Sequence, residues 1–242
     1  MEPPLSGIRA VLFDLGDTLF RLHPMDFAAA HDRFALLLSD RMGLAVQDAA
    51  ATTAEVSGRL RESLRELQRS GSTAEPSIAE SALPHLSRFG ADARWLATAL
   101  DEAFGEADIA RWEPPSGRPA EVRRFIDAGL RIAFVSNTQT PPALMRRRLA
   151  EFGLLELARA AVFSVEIGER KPAERIYRAA LDALDVRPQS ALFVGDRVRE
   201  DILGPQSLGM RAVLTHEFRQ EDPAGAQPAG VIQSLAALWQ FF

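Results

Sequence analysis

Short runs of apolar residues alternate with amphipathic stretches at the start of the chain and again after the first half. The apolar runs have the length of buried strands and lie at 8–13, 130–135, 161–164, 191–194 and 211–214. Amphipathic stretches lie at 119–128, 141–152, 172–185 and 200–208. This alternation predicts an α/β fold, with a doubly wound, Rossmann-like parallel sheet that carries helices on both faces.

The pattern differs between the first strand and residue 113, where apolar residues recur at helical spacing alone. It predicts four helices, at 27–42, 47–69, 78–89 and 95–104. The Pro114-Pro115-Ser116-Gly117 segment marks the return to the sheet. We therefore expect a Rossmann-like core of residues 1–20 and 114–242, and an inserted α-helical cap of residues 21–113.

Composition and charge narrow the classes of function. The net charge of −5 disfavours a broad basic surface for nucleic acid. No apolar run approaches the roughly 18 residues that a membrane-spanning helix needs, and residues 1–4 lack the basic start of a signal peptide. We expect a cytoplasmic protein with no membrane and no nucleic-acid partner, and the sequence leaves its oligomeric state open.

Polar residues follow the predicted strands where parallel sheets bind ligands, beyond the carboxyl ends. They are Asp14, Ser136, Asn137 and Asp196, with Asp201 and the only lysine, Lys171, near other strand ends. If these ends are neighbours, three carboxylates crowd together and need a cation to offset their charge. The chain has no cysteine and no histidine pair at ligand spacing, so oxygen-bound Mg²⁺ fits best. The positive field of metal and lysine then suits a phosphate.

Four segments, in this order, resemble the motifs of the haloacid dehalogenase (HAD) superfamily, in the subgroup whose helical cap follows the first strand. They are VLFDLGDTLF at 11–20, VSNT at 135–138, GERKP at 168–172 and VGDRVRED at 194–201. The resemblance implies a Mg²⁺-dependent phosphatase that acts on a small phosphorylated metabolite through an aspartyl phosphate. It makes Asp14 the nucleophile and Lys171 the group that offsets charge between nucleophile and phosphate.

The other site residues also follow from the resemblance. Ser136 and Asn137, together with backbone amides, would bind the transferred group, to which Lys171 also contributes. The metal would be held by Asp14, by the backbone carbonyl of Gly16, by Asp196, and by Asp201 directly or through water.

One position departs from the family pattern, which has a second aspartate two residues after the nucleophile as acid and base. This chain has Gly16 there. A backbone with a positive φ, which glycine adopts more easily than other residues, would require a glycine at this position. Asp17 is the candidate replacement acid, but a shift of one residue in an extended segment turns its side chain to the other face. Without a replacement, we expect slow turnover or a preference for good leaving groups.

Three alternatives follow from Gly16. A binding or regulatory protein that kept the fold and lost turnover stays open. A 2-haloacid dehalogenase is disfavoured because the fourth motif keeps Asp196, and a phosphonoacetaldehyde hydrolase because residues 21–113 contain no lysine. Residues that could contact substrate but cannot be ranked from the sequence are Arg21, His23, Arg111, Trp112, Arg197 and Arg199.

Overall fold

The computed structural model describes residues 6–242, so the signal-peptide argument from residues 1–4 lies outside the described residues. The strands, in chain order, are β1 (Ala10–Phe13), β2 (Arg21–Leu22), β3 (Trp112–Glu113), β4 (Arg131–Ser136), β5 (Ala160–Phe163), β6 (Ala191–Gly195), β7 (Arg211–Thr215) and β8 (Gly230–Ile232). Six of them form one parallel sheet in the order β5-β4-β1-β6-β7-β8, and β2 pairs antiparallel with β3.

The helices, in chain order, are α1 (Phe27–Met42), α2 (Val46–Arg69), α3 (Ile78–Leu86), α4 (Ala93–Ala110), α5 (Arg118–Asp127), α6 (Pro142–Glu151), α7 (Ser164–Ile167), α8 (Glu174–Leu184) and α9 (Gly204–Ser207). Val11 and Phe13 of β1 pack with residues of α5 and α6, whereas Leu12 packs with residues of α8. Side chains that alternate along the strand are thus buried on both faces of the sheet. The predicted doubly wound α/β fold is confirmed.

The five predicted strands start and end within two residues of the observed ones. The prediction missed β8, β2 and β3, because strands of two or three residues are too short to show a period. In place of the helix predicted at 200–208, the chain forms a short π-helix, Val198–Leu203, followed by the short α9. Among residues 6–242, no helix is long and apolar enough to cross a membrane.

Helices α1 to α4 bury a hydrophobic cluster of their own, built around side chains such as Phe34, Leu38, Leu96 and Leu100. The helices begin and end close to the predicted positions, except that α4 extends to Ala110 instead of residue 104. This longer helix carries Asp108 towards the carboxyl ends of the strands, where it lines a cavity described below.

A partly buried acid, Asp101, lies between α3 and α4. Asp101 accepts a hydrogen bond from the backbone of Ala79, and its Oδ1 atom has no partner among the described residues. Burial raises the pKa of Asp101 to about 7, and the charges of Glu102 and Glu80 add to the shift. The folded state therefore holds this proton more tightly than the unfolded chain does. The contribution of Asp101 to the free energy of unfolding falls as the pH rises from about 4 towards 7.

We expect Asp101→Asn to raise the free energy of unfolding by roughly 1–2 kcal/mol at pH 8, and by less near pH 5, because the amide carries no charge to desolvate. Urea denaturation at both pH values measures the difference. Glu66→Gln, which changes an exposed acid of α2, is the control and should show no such pH dependence. An equal gain at both pH values would contradict the assignment to Asp101.

Candidate active site

The strand order reverses at β1, which lies between β4 and β6. In parallel sheets, a crevice forms where the order reverses, beyond the carboxyl ends of the strands. Asp14 follows β1, Ser136 ends β4, and Asp196 follows β6. The topology therefore brings together three of the residues that the sequence singled out.

Asp14, Asp196 and Asp201 form a buried cluster, in which one carboxylate oxygen of each lies within 4.8 Å of the others. Gly195 allows this approach, because a Cβ atom on it would lie 2.3 Å from Cγ of Asp201. Burial raises the pKa of Asp196, and the charges of Asp14 and Asp201 raise it further. Such crowding favours a bound cation.

Lys171 contacts two of the three carboxylates and is only 2% exposed. Its Nζ atom donates to Oδ1 of Asp14 and to Oδ1 of Asp201, each at 2.7 Å. Burial alone would lower the pKa of Lys171, but the two carboxylates outweigh it and the pKa is raised. The ammonium therefore stays charged beside Asp14.

Asn137 holds the backbone of Lys171 from both sides. Its Oδ1 atom accepts from the Lys171 amide at 2.7 Å, and its Nδ2 atom donates to the Lys171 carbonyl at 3.1 Å. The side-chain amide is thus used to position the lysine. Ser136 and Asn137 both line a cavity next to Lys171 and Asp14.

This cavity, which we call the strand-end cavity, has a volume of about 140 Å³ and is lined by three acidic and four basic side chains. Its lining residues include Asp14, Gly16, Leu22, Asp108, Arg111, Trp112, Ser136, Asn137, Lys171, Arg197 and Glu200. Arg21, His23 and Arg199 do not line it; Arg21 lies over the ring of Phe218, and His23 pairs with Glu113. The indole nitrogen of Trp112 is buried and has no partner among residues 6–242.

Sequence reasoning missed Asp108, which accepts from Nε of Arg111 and from Oγ1 of Thr140, both at 2.7 Å. The spacing of three residues on α4 predicts the contact with Arg111, but nothing in the sequence links Asp108 to Thr140. Asp108 therefore ties the arginine at the cavity wall to the loop that follows β4.

Residues 73 and 75, which precede α3, contact the segment next to Lys171. The amide of Glu75 donates to the carbonyl of Gly168 at 3.0 Å, and the amide of Arg170 donates to the carbonyl of Thr73 at 2.7 Å. Oγ of Ser164 donates to the buried carboxylate of Glu75 at 3.1 Å. The segment that carries Lys171 is thus held by hydrogen bonds to Asn137 and to residues 73 and 75.

A family model described as haloacid dehalogenase-like hydrolase matches residues 8–209. The chain belongs to this family. The match spans every motif named above, from the strand before Asp14 to Asp201. The protein therefore has the fold and the motifs of the HAD hydrolases.

Two relatives of this chain are phosphatases by name. A phosphoserine phosphatase of Thermus thermophilus is 38% identical over 105 residues, which are 43% of this chain and 40% of that protein. The chain thus matches less than half of this relative's length. A glyceraldehyde 3-phosphate phosphatase of Methanopyrus kandleri is 26% identical over 216 residues, which cover 89% of this chain and 87% of the relative.

Solved structures of HAD proteins share the fold. A 2-haloacid dehalogenase of Pseudomonas syringae superposes with a TM-score of 0.68 at 22% identity, covering 97% of both chains. A HAD phosphatase of Thermococcus onnurineus gives a TM-score of 0.60 at 20% identity, covering 96% of both chains. At these identities the likeness concerns the fold alone, since both chemistries occur on it.

In this HAD hydrolase, Gly16 does not have a positive φ, and the expectation that glycine is required there for that reason is wrong. A Cβ atom on Gly16 would lie 2.6 Å from Cδ1 of Leu22, so a larger residue there requires the partly exposed Leu22 side chain to move. Leu22 also lines the strand-end cavity. An apolar side chain therefore covers the position where the family has its second aspartate.

The positive φ belongs to Asp17, at 55°. The Asp17 amide donates to the carbonyl of Phe20 at 2.7 Å, and its Oδ1 atom accepts from the amide of Leu22 at 3.0 Å. Asp17 is not among the residues that line the strand-end cavity. Its carboxylate thus closes the turn that places Leu22 over Gly16.

Proposed function

We propose that this HAD hydrolase cleaves phosphate monoesters of small molecules through a covalent phosphate on Asp14. One observation carries the proposal: Lys171 joins Asp14 to Asp201 at the wall of a cavity that Ser136 also lines. The names of the two relatives, both phosphatases, point the same way. We further propose that residues 21–113 act as a cap over this cavity and that the rest of the chain forms the core.

The donor set fits Mg²⁺, which prefers a few carboxylate oxygens and keeps several waters. Both oxygens of Asp201 already accept hydrogen bonds, from Lys171 and from the amide of Arg197 at 3.0 Å. We therefore assign Asp14, Asp196 and the Gly16 carbonyl as direct ligands, and Asp201 as a ligand through water. Bound Mg²⁺ would neutralise the carboxylates and polarise the phosphoryl oxygens.

In the proposed reaction, a carboxylate oxygen of Asp14 attacks phosphorus and the bond to the leaving oxygen breaks. Lys171 and Ser136 stabilise the charge on the other phosphoryl oxygens. Because Gly16 offers no proton and Leu22 covers it, the leaving oxygen takes its proton from water. Water then attacks the phosphorus, which releases inorganic phosphate, frees Asp14 and returns a proton to solvent.

A screen of phosphate esters with and without Mg²⁺ tests this function. We expect p-nitrophenyl phosphate to be hydrolysed only with Mg²⁺. Alkyl phosphates should be hydrolysed slowly, because the missing general acid usually contributes a factor of about 10²–10⁴ in rate. Release of halide from 2-chloropropionate is the control for dehalogenase chemistry and should be absent. Alkyl and aryl esters reacting equally fast would mean that another acid serves the site.

The covered position at Gly16 also favours a second candidate, a HAD-fold protein that binds phosphate without turnover. Binding of inorganic phosphate by calorimetry, with no hydrolysis of any activated ester, would select it. Formation of an acid-stable, hydroxylamine-sensitive phosphate on the protein would select the enzyme.

A further inference from the structure

We propose that the leaving group of the natural substrate carries a second anionic group, a carboxylate or a phosphate, which binds Arg61 and Arg65 of α2. The proposal rests on the proposed phosphate-ester hydrolysis and specifies its substrate class. It concerns a second cavity, which we call the cap chamber, of about 420 Å³.

The cap chamber adjoins the strand-end cavity, and only the strand-end cavity is lined by Asp14. The residues that line both are Asp108, Arg111, Asn137 and Thr138. In phosphoryl transfer the attacking and leaving oxygens lie roughly in line, so a phosphate beside Asp14 turns its leaving oxygen away from that carboxylate. The chamber offers space for the group attached to this oxygen, since its volume is in the range of pockets that enclose a small organic molecule.

One face of α2 contributes to the chamber wall on successive turns. Ser57, Arg61 and Arg65 follow each other at intervals of four residues, and all three line the chamber. Residues at this spacing are neighbours on a helix surface, with about 5–6 Å between their Cβ atoms. The two long arginine side chains can therefore reach the same anion.

The charges in the chamber wall do not cancel. Among the described residues that line it are three arginines and, as the only acid, Asp108. Asp108 accepts from Nε of Arg111 at 2.7 Å, which neutralises that arginine. Arg61 and Arg65 form no salt bridge with any of residues 6–242. Two positive charges thus remain for a ligand.

The other two arginines of α2 have carboxylate partners. Arg59 pairs with Glu55 at 2.9 Å and Arg69 with Glu62 at 3.6 Å, and neither arginine lines the chamber. Like charges four residues apart destabilise a helix slightly, so the two arginines in the chamber bring no gain to the helix itself. An anion that offsets both charges is the role that we assign to them.

An aromatic ring orients the first of these arginines. The guanidinium carbon of Arg61 lies 5.9 Å from the ring centroid of Phe27, which also lines the chamber and packs against Phe104. A cation–π contact of this kind uses the charge and not the N–H groups. The N–H groups of Arg61 donate to none of the described residues, so they are free to bind the oxygens of a carboxylate or phosphate.

Binding of phosphonates with different far ends measures the chamber without a chemical step, by calorimetry with Mg²⁺ present. The compounds are ω-phosphonoalkanoates, alkane-α,ω-bisphosphonates, n-alkylphosphonates and ω-aminoalkylphosphonates, each over a range of chain lengths. At the best length, Kd for an anionic far end should be about tenfold lower than Kd for a methyl end, because hydrogen bonds between charged groups are the stronger class. An amino end should bind most weakly, and the tighter of the two anionic ends identifies the second group as a carboxylate or a phosphate.

The double variant Arg61→Gln/Arg65→Gln should lose this preference and bind anionic and methyl ends with similar Kd. Arg59→Gln/Arg69→Gln is the matched control, because it removes two charges from the same helix outside the chamber and should keep the wild-type preference. Added salt should reduce the preference of the wild type, since Arg61 and Arg65 are exposed. An equal loss in the two double variants would show a long-range field and not a binding site, which would overturn the proposal.

Equal Kd values for anionic and methyl ends in the wild type, at every chain length, would likewise overturn the second anionic group. Hydrolysis of p-nitrophenyl phosphate in the same preparation would then leave the proposed function standing. Hydrolysis of no ester, together with failure of inorganic phosphate to bind, would instead overturn the proposed function.

Discussion

Asp14→Asn is expected to lower the turnover of p-nitrophenyl phosphate by at least ~10⁴, because an amide cannot act as the nucleophile. The assay is release of p-nitrophenol with Mg²⁺, together with trapping of the protein-bound phosphate, which should disappear. The amide keeps an Oδ1 atom that can accept from Lys171, so the fold should survive. Without metal, stability should be unchanged or higher, since one charge leaves a crowded carboxylate cluster.

Asp17→Asn is the matched control, since its amide can still accept from the backbone of Leu22 and close the same turn. We expect its activity to stay within a few-fold of the wild type. Loss of activity in a folded Asp17→Asn variant would make Asp17 the working acid and contradict the geometry of the turn. Unchanged turnover in Asp14→Asn would rule out the covalent mechanism.

The double variant Gly16→Asp/Leu22→Ala is expected to raise kcat for alkyl phosphates by up to about 10²–10⁴, the usual contribution of a positioned acid and base. Gly16→Asp alone should gain less, because the Leu22 side chain, whose Cδ1 would lie 2.6 Å from the new Cβ, must first move aside. Aryl phosphates, whose leaving groups need little protonation, should gain less in the first step. The ratio of alkyl to aryl rates therefore reports the new acid directly.

Leu22→Ala alone is the control for the removed side chain. It should leave the ratio of alkyl to aryl rates unchanged, because it adds no proton donor. An equal rise in that ratio for Leu22→Ala and for the double variant would show that access of water, and not a missing acid, limits the reaction. No rise in a folded double variant would show that Gly16 does not limit the enzyme.

The sequence by itself determined five of the six strands of the sheet, the four helices between the first strand and residue 113, and the residues that meet at the strand ends. Strand and helix follow from the spacing of apolar residues, which is local, and the parallel order places Asp14, Ser136 and Asp196 on one edge. Lys171 stood out as the only lysine. The missing acid at Gly16 could also be read from the chain alone.

Only the tertiary structure decided what occupies the space around these residues. Leu22 over Gly16, Asn137 on the backbone of Lys171, and Asp108 against Thr140 are contacts between side chains and groups whose approach depends on how loops fold. The positive φ of Asp17 is likewise set by the turn and not by residue type. Periodicity fixes the face of an element, whereas packing between elements fixes distances, and the acid–base chemistry that we propose for this site depends on those distances.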